Sequence, residues 1–590
     1  MITPRKTPPV CLAPLLAILL FFVPVVSGDT PEAELGAAQF PTPDPQARYH
    51  PVMGVGDMVV TQEEHATRAA LQVLQEGGNA IDAAVTAGFA LCVTLPRGAG
   101  LGGGGFMIVH MAEEGHSVAI DYRESAPAAA HRDLYLDDAG NADSDLSLHS
   151  PLASGVPGTV MGFAHALETY GTISLQRALE PAIALARDGF VVSGDLARSL
   201  RDAEEQIRRS PAAREIFLGE GDAFPQPGDI LRQVDLAETL ERIARHGVDD
   251  FYHGETARLL IADMEATGGI MTLADLADYQ VMEREPARGT YRGYEIISMP
   301  APSSGGALLV LMLQVLEHFP IAESGHNAAE TIRILAETMK RAYADRAEHF
   351  GDPDFTEMPM DWLLSAEYAA AIHDVVAEGE VTPSEQVRAG SPDDQKSGGE
   401  TTHFSVVDRW GNAVANTFSL NINYGRGHVA PGSGVIWNNT LDDFAAKPGV
   451  PNVYGLMGNE ANAVAGRKRP LSSMSPTIVL GDDGVRLITG SPGGSRIITT
   501  TLQVILNVID HGMNIQEAVN APRMHHQWLP DVLELEQGVS PDTIRLLETM
   551  GYTVESGANS MGASQSITRE GTQVFGAADP RRIGALAEGN

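Results

Sequence analysis

Thr401-Thr402-His403-Phe404-Ser405-Val406-Val407 is a run dense in β-branched and aromatic side chains. Asp408-Arg409-Trp410-Gly411-Asn412 follows as a turn, and a second strand-like run extends over 413–421. Two such runs around a Gly-containing turn predict a β-hairpin. With the turn centred on Trp410, Thr401 stands opposite Ser419. Residues opposite each other in a hairpin point to one face, and that face alternates along the strand. Ser419, Asn421 and Thr417 are therefore expected on Thr401's side of the sheet, which puts a hydroxyl and an amide beside the Thr401 hydroxyl. A slip of one residue in register would reverse this.

The composition changes just upstream of this hairpin. Residues 377–400 are polar, charged and Gly-containing, with no apolar face. They are expected to form an exposed, mobile loop of the kind that tolerates breakage of the chain. Farther upstream, apolar residues recur at helical spacing from Glu63 through Ala66, Ala69, Ala70, Val73 and Leu74, and Gly77-Gly78 ends the run. Further helices are expected over 80–93, 255–266, 330–349 and 497–509, with strands between the later ones. This mixture predicts an α+β fold in which helices pack on sheets.

The first 28 residues read as a signal peptide. Arg5 and Lys6 precede an apolar run over 12–26, and Val26-Ser27-Gly28 supplies small residues for cleavage. The run is short for a membrane span, so the mature protein is expected to be exported, periplasmic or secreted, with no stable span. Residues 29–50, rich in Pro, Ala and acidic groups, form a flexible lead-in. The 590 residues are ample for a large core. Lys plus Arg number 40 against 77 Asp plus Glu, a net charge of −37. That balance repels phosphate backbones and excludes nucleic acid as a partner. Of the two cysteines, Cys11 lies in the leader, and Cys92 is expected to be a buried core residue. No intrachain disulfide or cysteine zinc site can form from one thiol.

Three local patterns invite other chemistry. Gly100-Leu101-Gly102-Gly103-Gly104-Gly105 satisfies a dinucleotide-binding pattern, but a helix precedes it and a strand follows, the reverse of what that site needs. His525-His526 places two imidazoles in sequence, yet adjacent residues point in different directions, so structural roles are expected. His403 alternates with the strand and is expected to be structural or to act behind the site.

With these features in view, the chain resembles the γ-glutamyltransferase (γ-glutamyltranspeptidase) family. The resemblance runs from about Gly54 to Gly584. It rests on the segment from Thr401 to Asp408, on Asn438-Asn439-Thr440-Leu441-Asp442-Asp443-Phe444, and on Arg469-Pro470-Leu471-Ser472-Ser473-Met474-Ser475-Pro476. Gly490-Ser491-Pro492-Gly493-Gly494-Ser495-Arg496, Gly102-Gly103-Gly104-Gly105-Phe106 and Asp121-Tyr122-Arg123-Glu124 also match. The resemblance implies an N-terminal-nucleophile hydrolase, a four-layer αββα sandwich built jointly by two chains. The precursor would be a zymogen that cuts itself between Glu400 and Thr401. It would leave a large subunit (51–400, after the lead-in) and a small catalytic subunit (401–590) as a heterodimer.

It further implies that Thr401 is the nucleophile. A Thr hydroxyl needs a base, and the freed α-amine, with a pKa of about 8, can supply one. By position, Asn421 and Asp443 would hold the α-amino end of a γ-glutamyl donor, with Thr440 standing where many relatives place Gln or Glu. Arg123, Ser472 and Ser473 would clamp the α-carboxylate. Gly493 and Gly494 would form the oxyanion hole, Ser419 would hydrogen-bond Thr401, and residues 448–459 with Tyr454 would form a lid. The implied substrates are glutathione or related γ-glutamyl amides, with water, amino acids or dipeptides as acceptors. No cofactor or metal is implied. The sequon Asn438-Asn439-Thr440 overlaps this expected pocket, so no glycan is expected there.

Three related readings compete. A glutaryl or cephalosporin acylase would act on donors without the α-amine, which the acidic Asp443 argues against. An enzyme acting on poly-γ-glutamate would need an open groove. A catalytically silent secreted binding relative would not need the full residue set.

Overall fold

In the computed structural model, which describes residues 49–219, 221–388, 401–558 and 560–590, the hairpin has the expected register. Strands Thr402–Val407 and Ala413–Ser419 pair antiparallel, with Thr402 opposite Phe418 and Val407 opposite Ala413. The second strand ends at Ser419 rather than Asn421. Asn421 takes φ of 84°, a left-handed conformation that leaves the pleat. The leader and nearly all of the lead-in lie outside the described residues, as does Glu400.

The hairpin occupies the middle of a seven-stranded sheet. Its order is Leu586–Gly589, Met58–Thr61, Thr402–Val407, Ala413–Ser419, Gly104–Met111, His116–Tyr122 and Met282–Arg284. A second seven-stranded sheet runs Val52–Val55, Gln573–Ala578, Gln565–Glu570, Gly484–Thr489, Thr477–Gly481, Tyr294–Ser298 and Ala287–Tyr291.

Three apolar layers hold the sheets and helices together, and period-2 alternation assigns each strand residue to one of them. Met58, Val60, Phe106, Ile108, Val407 and Ala415 meet Ile297, Ile478, Ile488 and Ile567 between the sheets. Val59, Met107, Val109, Val406 and Val414 point the other way, onto the helices Glu64–Gln75 and Ala80–Thr94 and their neighbours. On the far side, Ile296, Val479 and Leu487 pack against Gly305–Leu316, Ala329–His349 and Arg496–Ile509. The result is the αββα sandwich.

The helices begin where side chains satisfy their free N–H groups. Glu63 accepts from the backbone of His65 and Ala66, and Asn79 with Asp82 forms a capping box for Ala80–Thr94. That helix is buried along its whole length, and Cys92 lies within it. One expectation needs correction. Residues 377–388 are not simply an exposed, mobile loop. Ser384 and Val387 are buried. Asp531 accepts hydrogen bonds from the Ser384 N–H and hydroxyl at 2.9 and 2.7 Å. The Trp528 indole donates to the Ser384 carbonyl at 2.9 Å.

Candidate active site

Thr401 is buried at the start of the first hairpin strand, against a small cavity. Ser419 and Asn421 line the same cavity, which is the juxtaposition the hairpin alternation predicts. The Asn421 N–H donates to Ser419 Oγ at 2.8 Å, and its Nδ2 donates to the Asn439 carbonyl at 3.0 Å. His403 and Thr417 stand opposite each other and join at 2.8 Å through Nδ1 and Oγ1. Full burial lowers the His403 pKa to about 3, so the ring is neutral. The Gly102–Gly105 run serves packing: a Cβ on Gly103 would strike the Ser419 carbonyl, and one on Gly105 the Thr417 carbonyl. These glycines let Gly104–Met111 lie against the strand that carries Ser419.

Charged groups line the cavity. Arg123 and Asp443 both line the cavity and are ion-paired with each other. Arg123 Nε also donates to the Pro470 carbonyl at 3.3 Å, and its guanidinium lies 3.6 Å from Glu124. Burial pushes the Asp443 carboxyl up, and the Arg123 charge pulls it back down. Thr440 is not brought to this lining. Its hydroxyl donates to Glu124 at 2.7 Å, and it lies fully buried behind Arg123, away from the cavity. The short side chain is bonded internally, and Thr440 is not among the residues lining the cavity. Asn438 is fully buried too, with its Nδ2 donating to the Gly102 and Gly155 carbonyls. A glycan has no room there, although the reason is an internal bracket rather than an overlap with the pocket.

Turns supply further lining. Ser472 and Ser473 line the cavity. The Ser472 carbonyl is held at 2.9 Å by both the N–H and the hydroxyl of Ser304. The Ser473 hydroxyl has no hydrogen-bond partner among the described residues. Gly494, at φ 56°, lines the cavity just before the helix Arg496–Ile509, while Gly493, at φ 132°, sits behind it against Gly562. Tyr454 also lines the cavity. Its ring lies against Gly494 and its hydroxyl donates to the Asn421 carbonyl at 2.9 Å.

Sequence reasoning missed Arg346, which also lines the cavity. The available signal was its place seven residues after Met339 and three after Tyr343, on the core-facing stripe of a helix. An arginine there needs a reason. His525 bonds Thr499 and Gln527, while His526 faces Asp531. Among the described residues no three His, Cys, Asp or Glu side chains group as metal ligands, and no helix is long and apolar enough to cross a membrane.

Comparison with known proteins adds an independent line. A sequence profile described as gamma-glutamyltranspeptidase matches residues 66–589. The chain is 50% identical over 543 residues to the glutathione hydrolase proenzyme of Escherichia coli (strain K12), covering 92% of this chain and 93% of that one. A crystal structure of cephalosporin acylase from Bacillus halodurans matches with a TM-score of 0.82 at 26% identity, covering 94% of this chain and 98% of the other. A gamma-glutamyltranspeptidase structure from Helicobacter pylori matches with a TM-score of 0.54 at 44% identity, covering 55% of this chain and 93% of that chain.

Proposed function

The chain belongs to the gamma-glutamyltranspeptidase family, and from that premise we propose that it is a γ-glutamyltransferase and glutathione hydrolase with Thr401 as its nucleophile. The observation that carries this reading is one cavity that gathers Thr401, an Arg–Asp pair, two serines and a glycine turn. Cleavage between Glu400 and Thr401 frees an α-amine with a pKa of about 8. That amine takes the proton of the Thr401 hydroxyl as Oγ attacks the γ-carbonyl of the donor.

The negative charge that develops on the carbonyl oxygen falls to backbone N–H groups at Gly493 and Gly494, aided by the positive end of the following helix. Collapse expels the amine and leaves a γ-glutamyl ester on Thr401. Water completes hydrolysis, and an amino acid or dipeptide completes transfer. The donor's amino-acid end is zwitterionic. Its carboxylate takes Arg123 with Ser472 and Ser473, and its ammonium takes Asp443 with Asn421, so the protein's own ion pair is exchanged for two pairs with the substrate. Ser419 orients the nucleophile. With the 1–28 leader removed, the enzyme is exported to the periplasm or beyond as a large and a small chain from one precursor. The proenzyme name of the 50% identical relative supports this processing.

The acylase likeness favours a second reading, hydrolysis of glutaryl amides. Asp443 opposes it, because a donor without the ammonium leaves that buried carboxylate facing a second anion. The test compares γ-glutamyl and glutaryl anilides, and a higher kcat/KM for the glutaryl compound overturns the substrate assignment. For the nucleophile, a denaturing gel and N-terminal sequencing should give two chains, one beginning at Thr401. Thr401→Ala should remain uncut and inactive, and retained self-cleavage in that variant would falsify the mechanism.

A further inference from the structure

Two guanidinium groups line the cavity, and they are not equivalent. Arg123 is committed to Asp443, the Pro470 carbonyl and the neighbouring Glu124. Arg346 uses only Nε, which donates to Ser304 Oγ at 3.0 Å. Its two terminal amino groups, four N–H donors in all, make no hydrogen bond or ion pair among the described residues, and the Asp443 carboxylate acts on the group only through space. The side chain is nevertheless buried. A buried guanidinium with unmet donors costs free energy unless an anion completes it. The Ser473 hydroxyl, also buried and unpartnered, lines the same cavity.

Arg346 is also placed to join both turns of the site. Through Ser304 it connects to the Ser472 carbonyl. Three residues earlier on the same helix, the Tyr343 hydroxyl donates to the carbonyl of Ser495, next to Gly494. One helical face therefore touches the serine turn and the glycine turn together.

We propose that Arg346 is a specificity-determining residue that receives the α-carboxylate of the γ-glutamyl donor together with Ser473. This deepens the proposed function and rests on it. Once the donor ammonium occupies Asp443, the cavity holds two guanidinium groups and one carboxylate. A donor bearing its own carboxylate supplies one anion for the two guanidinium groups to share, whereas a donor lacking it leaves both without a cavity carboxylate of their own.

The test uses the processed two-chain enzyme with two donors, γ-glutamyl anilide and 4-aminobutyryl anilide, which keeps the amine and lacks the carboxylate. In the unaltered enzyme γ-glutamyl anilide must be strongly preferred; if it is not turned over, the proposed function fails before Arg346 is tested. In Arg346→Gln, KM for γ-glutamyl anilide should rise about tenfold or more with kcat within threefold. The ratio of kcat/KM between the two donors should fall by about the same factor. Arg346→Lys keeps a charge without the planar fork, so its ratio should fall two- to fivefold and carry the test if the Gln variant does not mature. An equal loss on both donors, in either variant, assigns Arg346 to the scaffold and overturns the proposal. Failure of both variants to mature overturns it likewise.

Discussion

Gly494 sits at φ 56° with the Tyr454 ring packed where a Cβ would stand. Gly494→Ala should therefore act twice, through a left-handed backbone cost of about 1 kcal/mol and through displacement of the Tyr454 ring. We expect kcat/KM with γ-glutamyl anilide to fall at least tenfold. In a Tyr454→Ala background the same change should cost far less, because the colliding ring is gone. Equal losses in both backgrounds would show that Tyr454 is not what Gly494 accommodates. Residues at this scale differed in how far the sequence revealed them. The pairing of Thr401 with Ser419 followed from strand alternation, and the other roles came through motif resemblance. Thr440 and Arg346 escaped because their assignments depend on distant partners. Glu124 takes up the Thr440 hydroxyl, and Ser304 with the cavity wall decides what Arg346 does.

The segment proposed as a lid illustrates the element scale. Near Asn452 it lacks regular periodicity and is held by adjacent carboxylates. Asp442 accepts the Val453 N–H at 3.1 Å, and Asp443 accepts Asn452 Nδ2 at 3.3 Å. Asn452 Oδ1 in turn accepts the N–H groups of Tyr454 and Leu456. Burial pushes the Asp442 carboxyl up to about 6, with hydrogen bonds from Ser147 and Val453 opposing it. A raised carboxyl holds more protons in the folded than in the unfolded chain between its ordinary range and about pH 6. The Asp442 contribution to stability thus falls as pH rises through that window and levels off above it. Asp442→Asn keeps an acceptor oxygen and removes the titration. Its Tm should exceed that of the unaltered protein by a margin that grows up to about pH 6 and is constant above it, and a margin independent of pH throughout would remove Asp442 as the cause. The end of the helix Glu64–Gln75 was legible because the Gly77-Gly78 signal that follows it is local. The buried anchor at Ser384 within 377–388 was missed because Asp531 and Trp528, which hold it, lie more than 140 positions away.

At the scale of the molecule, the proposed cut falls between segments that cannot part easily. Thr402–Val407 is hydrogen-bonded on one side to Met58–Thr61, and Ala413–Ser419 is bonded to Gly104–Met111. In the other sheet Thr477–Gly481 pairs with Tyr294–Ser298, and Gln573–Ala578 pairs with Val52–Val55. Each sheet thus takes strands from both sides of residue 400, and the apolar layer between the sheets does the same. Separating the two pieces would expose strand edges and open the central core at once. The processed chains should therefore co-elute in size-exclusion chromatography without denaturant and unfold in a single calorimetric transition. Residues 401–590 made alone should lack the flanking strands that cover their hairpin, and should fail to give a monodisperse folded species. Two separate transitions, or a folded and stable 401–590 fragment, would mean that the shared sheets are not what holds the pieces together. Co-expression with 29–400 from a separate message should restore the complex, because the ladders require both partners but not a peptide bond between them.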